Sequence, residues 1–365
     1  MPSDPIPIRG RGAQINPAGR FERIYYEPDP DAPPCDQTAP ATQFLKDTSR
    51  SIIAYNDSPD VGFSASINPY RGCEHGCVYC YARPTHEYFG FSAGLDFETK
   101  IMVKEDAPEL LRKELSSPKW RPQIVAISGV TDPYQPVEHR LQLTRRCLQV
   151  LAEFRNPVGI VTKNRLVTRD IDVLLELARY NAAAVFVSVT TLDGDLARLM
   201  EPRTTQPQGR LAAIETLAKA GIPTGVMVAP VIPGLTDHEM PAIIAAAARA
   251  GARCAGFVPL RLPLGVGPLF ADWLTRHFPE RKDKVLNGVR AIRGGKLNDS
   301  NFGTRMRGQG PAAEMLADLF HLACKKAGIG GRRPKLSTAA FRNPVALSLR
   351  ERSGNSFETQ KLLFD

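Results

Sequence analysis

VGIVTKNRLVTRDIDVLLELARYNAAAVFVSV, residues 158–189, decides the fold. A β-branched run (158–162) gives way to the polar pair Lys163 and Asn164. An amphipathic helical pattern (169–180) and a second apolar run (184–189) follow. Strand, helix and strand in so short a stretch make a βαβ unit, whose two strands lie parallel in one sheet. The same rhythm extends in both directions. Strand-like runs recur at 64–69, 124–128, 224–229 and 254–258, and helical patterns at 143–154, 208–220 and 238–250, with a shorter one at 107–115. Six strands in one series predict an α/β chain built as a partial (β/α)6 TIM-like barrel. Its chemistry is expected on the loops that follow the strands.

Less regular segments flank this core. Residues 1–60 are rich in Pro, Asp and Gly, which predicts an irregular N-terminal extension ahead of a barrel at 61–265. Helical patterns at 269–289 and 312–327 flank the Gly-rich NDSNFGTRMRGQG and predict a helical C-terminal extension at 266–330. The composition of 331–365 predicts a disordered basic tail. The 365 residues carry 47 Lys and Arg against 38 Asp and Glu, a net charge of +9. The excess sits at one end, since residues 281–365 hold 17 basic and 7 acidic side chains. A near-neutral body with a basic end suits a polyanion, nucleic acid first; a solvated tail is the plainer alternative. No apolar run is long enough to span a membrane, and MPSDPIPIRGRG lacks the apolar stretch of a secretory signal. A cytoplasmic protein without membrane contact is expected.

Seven cysteines in a chain without an export signal argue against disulfides. Three of them, Cys73, Cys77 and Cys80, crowd into NPYRGCEHGCVYCYA (68–82), after the first strand. Soft thiolates at this spacing suit zinc or an iron–sulfur cluster, because one loop can wrap three corners of a metal site. Gly72 and Gly76 relax the backbone where it curls. A zinc reading adds His75 or His86 as fourth ligand and makes the chain a non-catalytic nucleic-acid-binding protein. Against it, no second cysteine pair exists. Cys147, Cys254 and Cys324 each stand alone, as small apolar residues do.

The cysteine motif resembles that of the radical S-adenosylmethionine (SAM) superfamily, with Tyr79 as the aromatic residue before the third cysteine. With TDPYQPVE (131–138), RGRGAQINPAGRFE (9–22) and NDSNFGTRMRGQG (298–310), it resembles the spore photoproduct lyase-like branch over about residues 9–330. The resemblance implies a [4Fe–4S] cluster on Cys73, Cys77 and Cys80, with one iron left to SAM. It also implies a reduced flavodoxin or ferredoxin-type electron donor. SAM would be cleaved to methionine and a 5′-deoxyadenosyl radical that abstracts a substrate hydrogen.

The same resemblance assigns SAM contacts to the strand ends. Ser128, Gly129 and Thr131, assisted by Asp132, match the methionine amino site. Lys163 matches a carboxylate partner and Ser188 a further polar contact, while Val231 and Ile232 match the apolar wall against adenine. Plainer readings stand beside these: Asp132 and Pro133 make a good turn, Glu138 suits a helix N-terminus, and Ser188 suits a satisfied core position. Tyr134, Gln135 and Glu138 divide evenly between the two kinds of role. Thymine-dimer repair in that branch uses a hydrogen-donating cysteine on the second strand, and AISGVTD (126–132) has none. The substrate is therefore left open.

The last residues, QKLLF at 360–364, resemble the peptide by which bacterial DNA-handling enzymes dock on the replication sliding clamp. Gln360 would fix the register, and Leu363 and Phe364 would fill a pocket. A tail packed on its own domain is the alternative.

Overall fold

The computed structural model describes residues 8–21, 40–330 and 334–344. Cys35, most of the 331–365 tail and the QKLLF peptide lie outside them. Among the described residues the strands are β1 (Gln43–Lys46), β2 (Ile53–Tyr55), β3 (Ala65–Ile67), β4 (Tyr70–Arg71), β5 (Lys100–Val103), β6 (Val125–Ile127), β7 (Val158–Thr162), β8 (Ala183–Ser188), β9 (Thr224–Val231) and β10 (Cys254–Pro259). Seven form one sheet in the order β10-β9-β8-β7-β6-β3-β2. The six from β3 to β10 pair in parallel, each with the next in the series, and β2 adds antiparallel at the edge. β10 and β2 remain at opposite ends, so the sheet is an open, partial barrel.

All six parallel strands fall on the apolar runs of the sequence, because a strand covered by helices needs an almost continuous apolar stretch. Helices Leu143–Phe154, Ile171–Ala178, Pro207–Lys219 and Met240–Arg249 provide that cover. Leu148, Leu151, Leu174, Leu177, Ile214 and Ile243 pack on Val158, Ile160, Val185, Val187, Val226 and Val228 in one core. Their three- and four-residue spacing is the helical period that made these segments legible.

Two expectations need correcting. Residues 1–60 are not wholly irregular, since β1 and β2 are strands. β1 pairs in parallel with β5, which in turn pairs with β4 in a second, three-stranded sheet. The partners lie far apart in sequence, so no local pattern announces the pairing. The helical pattern at 169–180 also begins differently, as a 3-10 turn at Arg165–Asp170 ahead of Ile171–Ala178. The Asn164 side chain accepts a hydrogen bond from the Leu166 amide and starts that turn.

The C-terminal helices Val266–His277 and Lys282–Ala291 do more than follow the barrel. Phe270, Trp273, Val285 and Val289 share an apolar group with Val78 and Tyr79 of the cysteine loop. Arg305 reaches Asp60, ahead of β3, at 2.5 Å. Among the described residues no helix is long and apolar enough to cross a membrane.

Gly225 of β9 tests the sheet packing. A Cβ there would lie 2.6 Å from the Cys254 sulfur and 2.7 Å from the Phe186 ring, whereas Gly159 of β7 has open space. Gly225→Ala should lower the unfolding free energy by about 1–3 kcal/mol, read from urea denaturation. Gly159→Ala should leave it within about 0.5 kcal/mol.

Candidate functional site

The cysteine loop follows barrel strand β3 and the short β4 of the second sheet, and curls at two glycines in the left-handed region, Gly72 at φ +83° and Gly76 at φ +67°. Its amides are tied to itself and to its neighbours. Cys80 N–H donates to the Cys77 carbonyl at 3.2 Å, Cys73 N–H to Phe97 at 2.8 Å and Val78 N–H to Met200 at 3.0 Å. Such a loop has no ladder of its own, so its shape depends on what surrounds it.

Arg83 braces it from behind. This fully buried guanidinium donates to the carbonyls of Cys77 (3.0 Å), Ala93 (3.1 Å) and Gly94 (2.9 Å), and pairs with the equally buried Glu98. The Glu98 carboxylate also accepts the amides of Gly12 (3.0 Å) and Ala13 (2.8 Å), and its carbonyl accepts from Arg11 at 2.9 Å. The RGRGA segment therefore lies directly on the loop. A Cβ on Gly12 would come within 1.8 Å of the Gly76 carbonyl oxygen.

A second brace comes from TDPYQPVE. Gln135 accepts from Glu74 N–H at 2.9 Å and donates to the Gly72 carbonyl at 3.1 Å. The Thr131 hydroxyl donates to the Tyr70 carbonyl at 2.7 Å, and Glu74 accepts from Val137 N–H at 2.8 Å. Tyr134 turns away to Asp170 at 3.1 Å. Glu138 is buried and takes Arg169 at 2.7 Å and the Thr144 amide at 2.9 Å.

Asp132 joins the loop to the strand ends. One carboxylate oxygen accepts from the Thr162 hydroxyl at 2.7 Å and the Tyr134 amide at 2.9 Å. The other accepts from Lys163 N–H at 2.7 Å and faces His75 Nδ1 at 3.5 Å. His75 Nε2 meets Asn164 at 3.3 Å. Burial opposes charge on His75, but Asp132 and the Cys73 sulfur outweigh it and push the imidazole up to about 10. His75 and Asp132 thus form a buried pair between two of the cysteines and the end of β7.

Lys163 stands at the centre of the next group. Its ammonium donates to the Ala229 carbonyl at 3.0 Å and to Thr190 at 3.2 Å, and lies 3.3 Å from the buried Glu201. Glu201 also takes Arg210 and the Tyr79 hydroxyl. Burial, then the nearby Arg210, lowers the ammonium to about 8. Ser188 is buried at the end of β8, and its carbonyl accepts from Arg210 at 3.1 Å. Ser128 holds φ +89° after β6, a strained value for a non-glycine residue. Gly129, next to it, accepts the Tyr81 hydroxyl on its carbonyl at 3.1 Å. Val231 is buried in the sheet core and Ile232 in the group that holds Val78 and Tyr79. Arg83, Glu98, Arg210 and the RGRGA contact were not assigned roles in the sequence; a Gly flanked by two Arg was the one available sign.

Among the described residues no three Cys, His, Asp or Glu side chains stand as a finished metal cage. The loop's fitness for a metal group rests on its donors. Cys73, Cys77 and Cys80 are free thiols. Burial raises Cys77 and carries Cys80 to about 11, and the thiols raise one another further. Coordination to a metal is what deprotonates thiols in such a setting. Three thiols on one loop, with Lys163 and Arg83 lowering them, fit an iron–sulfur group. His75 is not a free fourth zinc ligand, since its two nitrogens face Asp132 and Asn164. His86 is packed among Phe89, Phe91 and Phe97, with both ring nitrogens buried and, among the described residues, without a hydrogen-bond partner.

Residues 67–247 match the radical SAM superfamily. An uncharacterized protein of Mycobacterium tuberculosis is 41% identical over 248 residues, 66% of this chain and 73% of that protein. A radical SAM Nα-GlyT isomerase of Pseudomonas phage M6 is 27% identical over 180 residues, 48% of this chain and 35% of its own length. Among solved structures, spore photoproduct lyase complexed with dinucleoside spore photoproduct has a TM-score of 0.56 at 17% identity, covering 78% of this chain and 79% of that one.

The brace behind the loop is open to test. Arg83→Met leaves Glu98 buried without its cation, which should lower the unfolding free energy by about 3–5 kcal/mol. Adding Glu98→Gln should recover part of that loss in chemical denaturation, because it removes the stranded charge.

Proposed function

Because the chain belongs to the radical SAM superfamily, whose members are enzymes, we propose that it is an iron–sulfur, SAM-dependent enzyme, that Cys73, Cys77 and Cys80 hold a [4Fe–4S] cluster and that hydrogen is abstracted from a nucleic-acid substrate. The observation that carries the reading is the loop of three thiols, braced on all sides at the ends of the strands. When bound, the cluster and SAM supply the hard chemistry: one electron cleaves the sulfonium to methionine and a 5′-deoxyadenosyl radical.

The chain's own residues bind, orient and exclude water. Lys163 offers the SAM carboxylate an ammonium already withdrawn from solvent, where a charge-assisted bond is strong. Ser128 and Gly129 would hold the methionine amino group through backbone polar groups, with Thr131 and Asp132 fixing that turn. Ser188 would add a polar group from β8, and Val231 and Ile232 would supply the apolar wall for adenine. Tyr79 packs beside the second thiol and holds Glu201 in place. A flavodoxin or ferredoxin-type carrier would supply the electron, and a cytoplasmic setting suits such a carrier.

Support for a nucleic-acid substrate comes from the basic excess in 281–365 and from the dinucleoside bound by the solved neighbour. A sliding-clamp docking role for the QKLLF peptide at 360–364 would accord with the same nucleic-acid reading.

Cys77→Ala should abolish reductive SAM cleavage by the fully reduced protein, measured as 5′-deoxyadenosine, because an open-site cluster needs all three thiolates. Cys147→Ala should leave it intact, since Cys147 is buried in the sheet core. Normal 5′-deoxyadenosine from Cys77→Ala would sink the assignment. Lys163→Met should weaken SAM binding about tenfold to a hundredfold in calorimetry, with cluster content unchanged. Equal affinity would make Lys163 a purely structural residue.

A further inference from the structure

Arg261 has no part in the SAM site, yet it sits at its mouth. It follows β10, on the face where the strands deliver their loops. Its guanidinium lies 4.7 Å from the centre of the Tyr81 ring. Among the described residues it makes no hydrogen bond or ion pair with a side chain or carbonyl. Tyr81 directly follows the third cysteine, is 46% exposed, and is fixed by its hydroxyl on the Gly129 carbonyl after β6. Loops from β10, from β6 and from the cysteine motif therefore meet at one ring and one cation.

Charges act on Arg261 in both directions: Arg305 repels it, whereas Tyr81, Asp60 and the Cys80 sulfur favour its cation. Asp60 is engaged directly by Arg305 at 2.5 Å and by the Gly303 amide at 2.6 Å, so it acts on Arg261 only from a distance and forms no ion pair with it. Burial holds Arg261 below its ordinary value, the sign of a cation partly withdrawn from water without full compensation. A guanidinium with its fork of donors unused is suited to the oxygens of a phosphate. An exposed aromatic face beside it is suited to a base taken out of its stack.

We infer that Arg261 and Tyr81 form a nucleotide subsite at the mouth of the cysteine loop, Arg261 taking one phosphate of a single-stranded segment and Tyr81 stacking one base. This deepens the nucleic-acid reading above and rests on it. It also fixes where the substrate lies, beside Cys80 and across from the Ser128 turn.

The test is anisotropy of a short fluorescent oligothymidylate with the full chain, over a series of salt concentrations. Tyr81→Leu should weaken binding about tenfold at fixed salt and leave the salt slope unchanged, as loss of one stacked base requires. Tyr81→Phe, which keeps the ring, should bind like the wild type. Arg261→Gln should weaken binding and reduce the slope of log affinity against log salt by about one. Arg112→Gln, on an outer helix, should change neither. Thermal unfolding midpoints report that each variant is folded.

Wild-type affinity in both Tyr81→Leu and Arg261→Gln would overturn the subsite, as would a wild-type chain that does not bind oligothymidylate at low salt. Inorganic phosphate that competes as well as thymidine monophosphate would remove the stacking role of Tyr81. Binding is read whether or not a cluster assembles. A colourless chain that binds through Arg261 and Tyr81 would thus count against the SAM reading and not against the subsite.

Discussion

Everything at this site depends on holding an irregular loop still. The cysteine loop has two left-handed glycines and few hydrogen bonds of its own, so it cannot keep three thiols in place without outside support. The support is polar and buried. Arg83 grips the Cys77 carbonyl from behind and Gln135 the Gly72 carbonyl from the side, while Asp132 meets His75 from the strand ends. Each contact satisfies loop groups that would otherwise be stranded in the interior. The cost of leaving such groups unpaired is what makes the arrangement specific.

The electrostatics follow the same economy. Buried Glu201 is shared by two cations, Lys163 and Arg210, and by the Tyr79 hydroxyl. Lys163 therefore stands near the thiols without being committed to a single full counter-charge. A loop that presents thiolates, and a ligand that presents a carboxylate, both gain from such a cation. The fold places it by ending β7 one residue earlier, so that Asp132 fixes the Lys163 amide while the side chain reaches across to β8 and β9.

The six parallel strands could be read from sequence because covered strands and amphipathic helices leave different periods in the chain. The cysteine spacing was legible because three cysteines within eight residues of one loop are a residue type and order that packing alone does not impose. What stayed hidden depends on partners distant in sequence. β1 has no local strand signal beyond QFLK and exists by pairing with β5. Gly12 is an unremarkable glycine until its contact with Gly76 is seen. Asp132 was expected to assist at the methionine amino group, and the structure shows both its oxygens engaged by Thr162, Tyr134, Lys163 and His75. Gln135 and Glu138, evenly divided in the sequence, separate once contacts are known: the first grips the cysteine loop and the second takes Arg169 and a helix start.

The central claim is that three thiols on this loop carry a cluster with one iron open to SAM. The most direct measurement is electron paramagnetic resonance of the anaerobically reconstituted, reduced full chain, recorded with and without SAM. A brown protein whose reduced cluster signal changes on addition of SAM is the expected result. A colourless protein with stoichiometric zinc, or a cluster signal indifferent to SAM, would contradict it.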